Sequence, residues 1–180
     1  GDAARLKRAG LRYVKELDWW QSLEIAHAKP LTITLTPARH WSIRQFIPSD
    51  KDQSLWGGFV VSHAGQSIFF AGDTGYAPVF QEIGRRLGPF ALAILPIGAY
   101  EPRDYLKAQH VNPDDAVKMH IDLRAQVSLP MHWGTFILSG EPIQQPPKYL
   151  AQALESRGIS EDAFQSWAIG ETRAIVPKEL

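Results

Sequence analysis

An α/β domain is the fold that the sequence predicts, on three observations. Short apolar runs alternate with amphipathic stretches along the chain. Residues 91–97 are a nearly continuous apolar run centred on Ile94 and Leu95, as in a strand covered on both faces. Asn112-Pro113-Asp114-Asp115 opens a helix in which the cap, the proline at the first position and the acidic first turn all agree.

Taken in order, strands are expected at 13–17, 31–36, 56–62 and 67–71, the last two joined into a hairpin by Ala64 and Gly65. A helix over 77–87 follows from the spacing of Phe80, Ile83 and Leu87 behind Asp73 and Thr74 as caps and Pro78 in the first turn. After the strand at 91–97 comes a long polar loop, then the helix from Asn112 with Val117 and Ile121 on its buried face. A strand at 126–130, a proline-rich connector over 141–147, a helix at 149–156 and a final strand at 172–176 complete the chain. No repeat and no long linker divides it, so residues 1–180 are expected to form a single domain.

Composition narrows the function. With 44% hydrophobic and 21% charged residues the chain is globular. Nineteen basic residues balance nineteen acidic ones, which removes the electrostatic footprint of a nucleic-acid binder. The absence of cysteine excludes disulfides, thiolate zinc sites and cysteine nucleophiles, so any metal must be held by histidine and carboxylate. No apolar run approaches the roughly 18 residues of a membrane span, and the expected setting is the cytoplasm or a membrane surface. The methionines are Met119 and Met131, so Gly1 either follows initiator removal or, as expected here, begins a piece of something longer.

Three residues share one structural position. His40 follows the run 31–36, Asp73 follows 67–71 and His132 follows 126–130, each just past a strand's carboxyl end. If those strands run the same way, their ends share an edge, where open α/β sheets place their sites. Two imidazoles and a carboxylate held there suit Zn2+ or a similar ion. Each residue alone has a plainer explanation: an isolated histidine is usually a surface or core group, which is how His27, His63 and His120 are taken, and Asp73 could simply cap a helix. The joint pattern favours a site. Asp-Thr-Gly also presents the carboxylate of aspartic proteases, but that chemistry needs two such carboxylates and the helices fit an all-β protease poorly. Neither a Gly-x-Ser-x-Gly elbow nor a phosphate-binding glycine loop is present.

The strings ELDWW (16–20), TPARHWSIR (36–44), LWGGF (55–59), FFAGDTGY (69–76), PIGAYEPR (96–103), QHVNPDDAV (109–117) and MHWGTF (131–136) occur in order. Together they resemble the C-terminal portion of the N-acyl-phosphatidylethanolamine-hydrolysing phospholipase D group, within the metallo-β-lactamase fold superfamily. The resemblance implies the C-terminal half of an αββα sandwich with two metals at one edge, zinc by default, though iron or manganese accept the same donors. It implies His40, Asp73 and His132 as metal ligands, with Asp73 bridging, and His110 beside the substrate phosphate. The implied activity is a phosphodiesterase of phospholipase D type on N-acyl phospholipid-like substrates, in which a hydroxide held between the metals attacks phosphorus with Asp73 and His110 as catalytic residues. A lactonase or sugar-phosphate hydrolase of the same superfamily is the alternative, and a catalytically silent interaction module the second.

The departure matters as much. The superfamily's His-x-His-x-Asp-His is absent, so the chain offers His40 and Asp73 to one metal and Asp73 and His132 to the other, short of the roughly four ligands each zinc takes. The expected partners are therefore the upstream half of the same fold and a small-molecule or lipid substrate, with peripheral membrane contact and self-association left open. A sheet face meant for that upstream half would lie open to water. Trp41, Trp56 and Trp133 are expected in the core before an acyl path.

Overall fold

The computed structural model describes residues 1–26, 28–44 and 50–175. Its centre is a six-stranded sheet in the order β1 (Ser22–Ile25), β2 (Leu31–Thr36), β3 (Gly58–His63), β4 (Gln66–Phe70), β5 (Phe90–Pro96) and β6 (Ala125–Met131). The first four strands pair antiparallel, and β4, β5 and β6 run parallel. Two reversals separate β2 from β4, so β2, β4, β5 and β6 all point the same way and their carboxyl ends share one edge.

Local chemistry explains the elements that match expectation. Ala64 and Gly65 both sit at positive φ, 51° and 82°, as a two-residue hairpin requires. The crossovers between parallel strands are made by α2 (Val79–Leu87) and α4 (Pro113–Asp122). Asn112 caps α4 by accepting a 2.9 Å hydrogen bond from the Asp115 amide. Where α2 meets α4 the backbones nearly touch, since a Cβ on Gly84 would lie 2.1 Å from the Asp122 carbonyl oxygen.

Several expectations are corrected. Residues 13–17 form no strand, because the turn at 18–20, with Trp20 at φ 70°, swings the chain off the β2 edge where the Trp20 amide bonds Leu35. Helix α1 (Ala3–Arg8) and β1 were not foreseen. Asp73 does not cap α2, whose N-cap is Pro78. The connector over 141–147 ends early, since α5 (Gln145–Glu155) takes Pro146 into its first turn, where a missing amide costs nothing. Of the last expected strand, 172–175 has no regular structure and Val176 lies outside the described residues; the β6 edge at Ser128 is already bonded to 163–165. A short helix, α3 (Arg103–Leu106), interrupts the polar loop.

The two faces of the sheet differ. One packs Val60, Phe69, Ala93 and Leu95 against Phe80 and Ile83 of α2, Val117 and Met119 of α4, and Leu150 and Leu154 of α5, all buried. On the other face the strand register lines up Leu23, Ile33, Val61, Ile68, Leu92 and Val127 in one row and Leu35, Phe59, Phe70, Ile94 and Leu129 in the next. Phe59, Ile68 and Phe70 are about two-fifths exposed, and Leu92 and Ile94, expected to be covered on both sides, are only half-buried. Near Leu35 and Phe59 this face is flanked by Leu6, Val14 and Leu17 of the N-terminal segment. Among the described residues no helix is long and apolar enough to cross a membrane.

Candidate metal centre

The common edge carries the site. Asp73 leaves the end of β4, His132 directly follows β6, His40 lies past β2, and His110 comes just before the Asn112 cap of α4. Asp73, His110 and His132 each offer a ligand atom, and these atoms all lie within 4.8 Å of one another. Nε2 of His132 is 3.5 Å from Oδ1 of Asp73. The ring of His40 stands 5.2 Å from that of His110, which stacks at 5.4 Å on His132. The three residues read from strand ends are thus neighbours, but it is His110, assigned by resemblance to the substrate, that joins Asp73 and His132 in the tightest set, with His40 alongside.

Backbone bonds between distant segments hold this arrangement. The Thr74 hydroxyl, fully buried, accepts from the Arg39 amide at 2.9 Å, and the Gly75 amide returns a 2.8 Å bond to the Arg39 carbonyl. The Val111 amide donates to the Thr74 carbonyl at 2.8 Å. Thr74 therefore ties the neighbours of His40 and His110 to the turn that presents Asp73. His40 donates from Nδ1 to the Gln109 carbonyl at 3.0 Å, which fixes its tautomer and leaves Nε2 with a lone pair, the usual support of a metal-binding histidine. His132 sits at φ 59°, a left-handed conformation costly for a residue with a side chain. Its carbonyl packs against Gly98, where a Cβ would lie 2.1 Å from that oxygen.

Electrostatics follow from burial and proximity. Hydrogen bonding by His132 holds the Asp73 carboxyl below the usual carboxylate range against the opposing effect of burial. The same contact lifts the His132 imidazole above its ordinary value, again against burial. Burial, reinforced by His132 and His40, pushes His110 down to about 4. Among the described residues, the buried Nδ1 atoms of His110 and His132 have no hydrogen-bond partner. Neutral imidazole with unclaimed nitrogen beside a carboxylate is a donor set that fits a divalent cation such as zinc.

These shifts set a pH dependence for the metal-free protein. His110, and His120 by burial, have folded pKa values below the 6.5 of an ordinary histidine. Between those values the unfolded chain binds more protons, so stability is full above about 6.5 and falls as pH drops through the window. His132, shifted upward, works the other way: its contribution is complete below 6.5 and is lost as pH rises through its folded value, so between pH 7 and pH 5 it opposes part of the loss. The urea midpoint should be lower near pH 5 than near pH 6, a window in which the His132 contribution is close to complete throughout; an unchanged midpoint there would contradict the burial of these two rings.

Other histidines behave as expected of core or surface groups. His120 is buried and bonded to the Ser128 hydroxyl at 2.8 Å, His63 ends β3, and His27 lies outside the described residues. Trp56 is structural, donating to the Ala38 carbonyl at 3.0 Å, while Trp41, 38% exposed, stacks on His40. Sequence reasoning missed Thr74 as a joint and missed Gly98. The apolar run leading into Pro96-Ile97-Gly98 placed that glycine at the correct edge, but no local signal shows what it touches.

Residues 1–133 match the family model described as the beta-lactamase superfamily domain. The chain is 39% identical over 166 residues to N-acyl-phosphatidylethanolamine-hydrolyzing phospholipase D 1 of Caenorhabditis elegans, covering 90% of this chain and 46% of that protein. It is 40% identical over 159 residues to the mitochondrial N-acyl-phosphatidylethanolamine-hydrolyzing phospholipase D of Saccharomyces cerevisiae, covering 86% and 34%. The chain thus spans half or less of the length of these curated relatives. Among solved structures, a metallo hydrolase from the archaeon Ignicoccus hospitalis superposes with a TM-score of 0.69 at 27% identity, over 98% of this chain and 65% of that one. With the strand order, the metal-capable edge and the family match in agreement, the chain belongs to the beta-lactamase superfamily and has the α/β metallo-β-lactamase fold.

Proposed function

We propose that the protein is a metal-dependent hydrolase, a phosphodiesterase of phospholipase D type whose substrate is an N-acyl phospholipid. The observation that carries the hydrolase reading is the convergence of Asp73, His110 and His132 within 4.8 Å, with His40 oriented beside them. The phospholipid reading rests on the relatives' activity and on the apolar rim of the site. A cavity of about 280 Å3 lined by His132, Trp133, Thr135, Phe136 and Leu138 adjoins the metal-capable edge. Phe136, Ile137 and Leu138 are all more than three-fifths exposed, suiting an acyl chain or a lipid surface.

In this reading His40, Asp73, His110 and His132 hold divalent metal, and the remaining donors come from a part of the protein outside this chain, which also lays a second sheet over the two apolar rows. Metal in such a site supplies Lewis acidity and lowers the pKa of bound water. Asp73 contributes the negative charge that lets cations gather at this edge. His110, neutral above about 4, keeps a nitrogen lone pair for the metal and is not a standing imidazolium. Trp41, stacked on His40, and the loop after His132 border the site.

Turnover by the protein at its natural length, measured on an N-acyl phospholipid, a soluble lactone and a sugar phosphate with and without added zinc, tests the proposal. Zinc-dependent release of phosphatidic acid should exceed turnover of the others. Preference for a lactone or sugar phosphate would reject the substrate class, and absence of turnover and of zinc binding would reject the hydrolase.

A further inference from the structure

We infer that Glu141 is a positioning residue for this centre: its carboxylate latches the loop that leaves β6 through His132 onto the loop that leaves β5, and through Arg103 steadies the segment carrying His110. The inference rests on the proposed metal site and adds to it a residue that touches neither metal nor substrate.

The geometry is specific. Oε1 of Glu141 accepts the Ala99 amide at 2.6 Å, and Oε2 accepts the Glu101 amide at 3.0 Å as well as the Ser139 hydroxyl. The Gly140 amide closes the same junction with a 2.9 Å bond to the Glu101 carbonyl. Burial works to raise the Glu141 pKa, yet these donors hold it below the ordinary range, so the latch is a carboxylate at neutral pH. Charge-assisted bonds to backbone amides are among the stronger ones a protein makes.

Two non-glycine residues of the site stand in the left-handed region, Ala99 at φ 63° and His132 at φ 59°. Such residues persist only where their surroundings over-determine them. For Ala99 that hold is Glu141, which takes its amide directly. Gly98, next to Ala99, abuts the His132 carbonyl, so a change in the path of 98–101 is felt at His132.

The second branch runs the other way. The Glu101 carboxylate accepts the Arg103 amide at 3.0 Å, and the Arg103 guanidinium donates to the His110 carbonyl at 2.7 Å while pairing with Asp115. Placing Glu101 therefore places the anchor of His110. Without the latch, 132–141 would be held by β6 and α5 at its ends and by the Gly140 amide, while bearing three exposed apolar side chains.

The test uses Glu141→Gln in the protein at its natural length. The amide can still accept from Ala99, but its NH2 group faces the Glu101 amide, donor against donor. Imidazole 1H–15N spectra should show the His132 and His110 signals shifted or broadened, with His120, held by Ser128 in the core, unmoved. Zinc affinity, read by competition with a chromophoric chelator, should fall about 10-fold or more, in the range seen when supports of metal ligands are removed. Should Glu141→Gln not fold, Ser139→Ala removes one of the donors and should move the same two signals by less. Unchanged His132 and His110 signals in whichever variant folds, or a displacement of His120 equal to theirs, overturns the inference. If the unaltered protein binds no zinc, the hydrolase proposal falls while the imidazole signals still decide the role of Glu141.

Discussion

Asp73→Asn should reduce turnover on the order of 10^3-fold or more while leaving the fold intact, because the substitution keeps shape and removes charge. The carboxylate is the only acidic member of the metal-capable set, and its side chain is 44% exposed at the sheet edge, so the amide fits without crowding. What disappears is the anion that offsets the charge of a bound cation. A second, metal-free readout separates this from misfolding. His132 has a raised pKa chiefly because it hydrogen-bonds Asp73, against the opposing effect of burial. In the variant burial is opposed only by the weaker influence of the backbone at Gly98 and His132, so His132 should titrate at lower pH, observable by NMR on metal-stripped protein. Retained activity would remove Asp73 from the machinery, and an unchanged His132 titration would show that the two side chains are not in contact.

How far the sequence leads can be judged residue by residue. Where a segment's structure is set by neighbours within a few positions, the reading was sound: the Asn112 cap, the Ala64-Gly65 turn and the helical spacing of Phe80 and Ile83 all rest on local chemistry. The positions of His40, Asp73 and His132 past strand ends were legible for the same reason, once β2, β4 and β6 proved to run in one direction. Segment 13–17 misled because alternation is a weak signal unless an edge is available to pair with, and the β2 edge is taken by Trp20, Gln21 and β1. The first turn of α5 was hidden by its prolines, which are tolerated at a helix start but mimic a connector. His110 could be placed near the site only through family resemblance, since no strand ends beside it in the sequence. Thr74, Gly98, Arg103 and Glu141 escaped because their roles lie in contacts to residues distant along the chain. Thr74 meets Arg39, 35 positions away, and Glu141 meets Ala99 across 42.

Gly98→Ala tests the most demanding of those contacts, and Gly84→Ala is its control. Both substitutions would put a Cβ 2.1 Å from a backbone carbonyl oxygen, of His132 in the first case and of Asp122 in the second. Neither oxygen belongs to a flexible side-chain tip, so backbone must move in each. Overpacking of this kind costs roughly 1–3 kcal/mol, and for a chain of this size each kcal/mol lowers Tm by about 2–4 °C. The two variants should therefore lose comparable stability. They should part company at the metal centre, because Asp122 lies at the α2–α4 crossing while His132 is itself a candidate ligand. Relieving the Gly98 clash requires His132 to retreat by roughly 1 Å, a displacement that costs on the order of 100-fold when it falls on a reacting group. Gly98→Ala should thus lower zinc affinity and turnover steeply, with Gly84→Ala changing neither by more than its loss of folded protein explains. Equal effects of the two on metal binding would mean that the site responds to global stability alone, and that the close approach of Gly98 to His132 has no special part in shaping it.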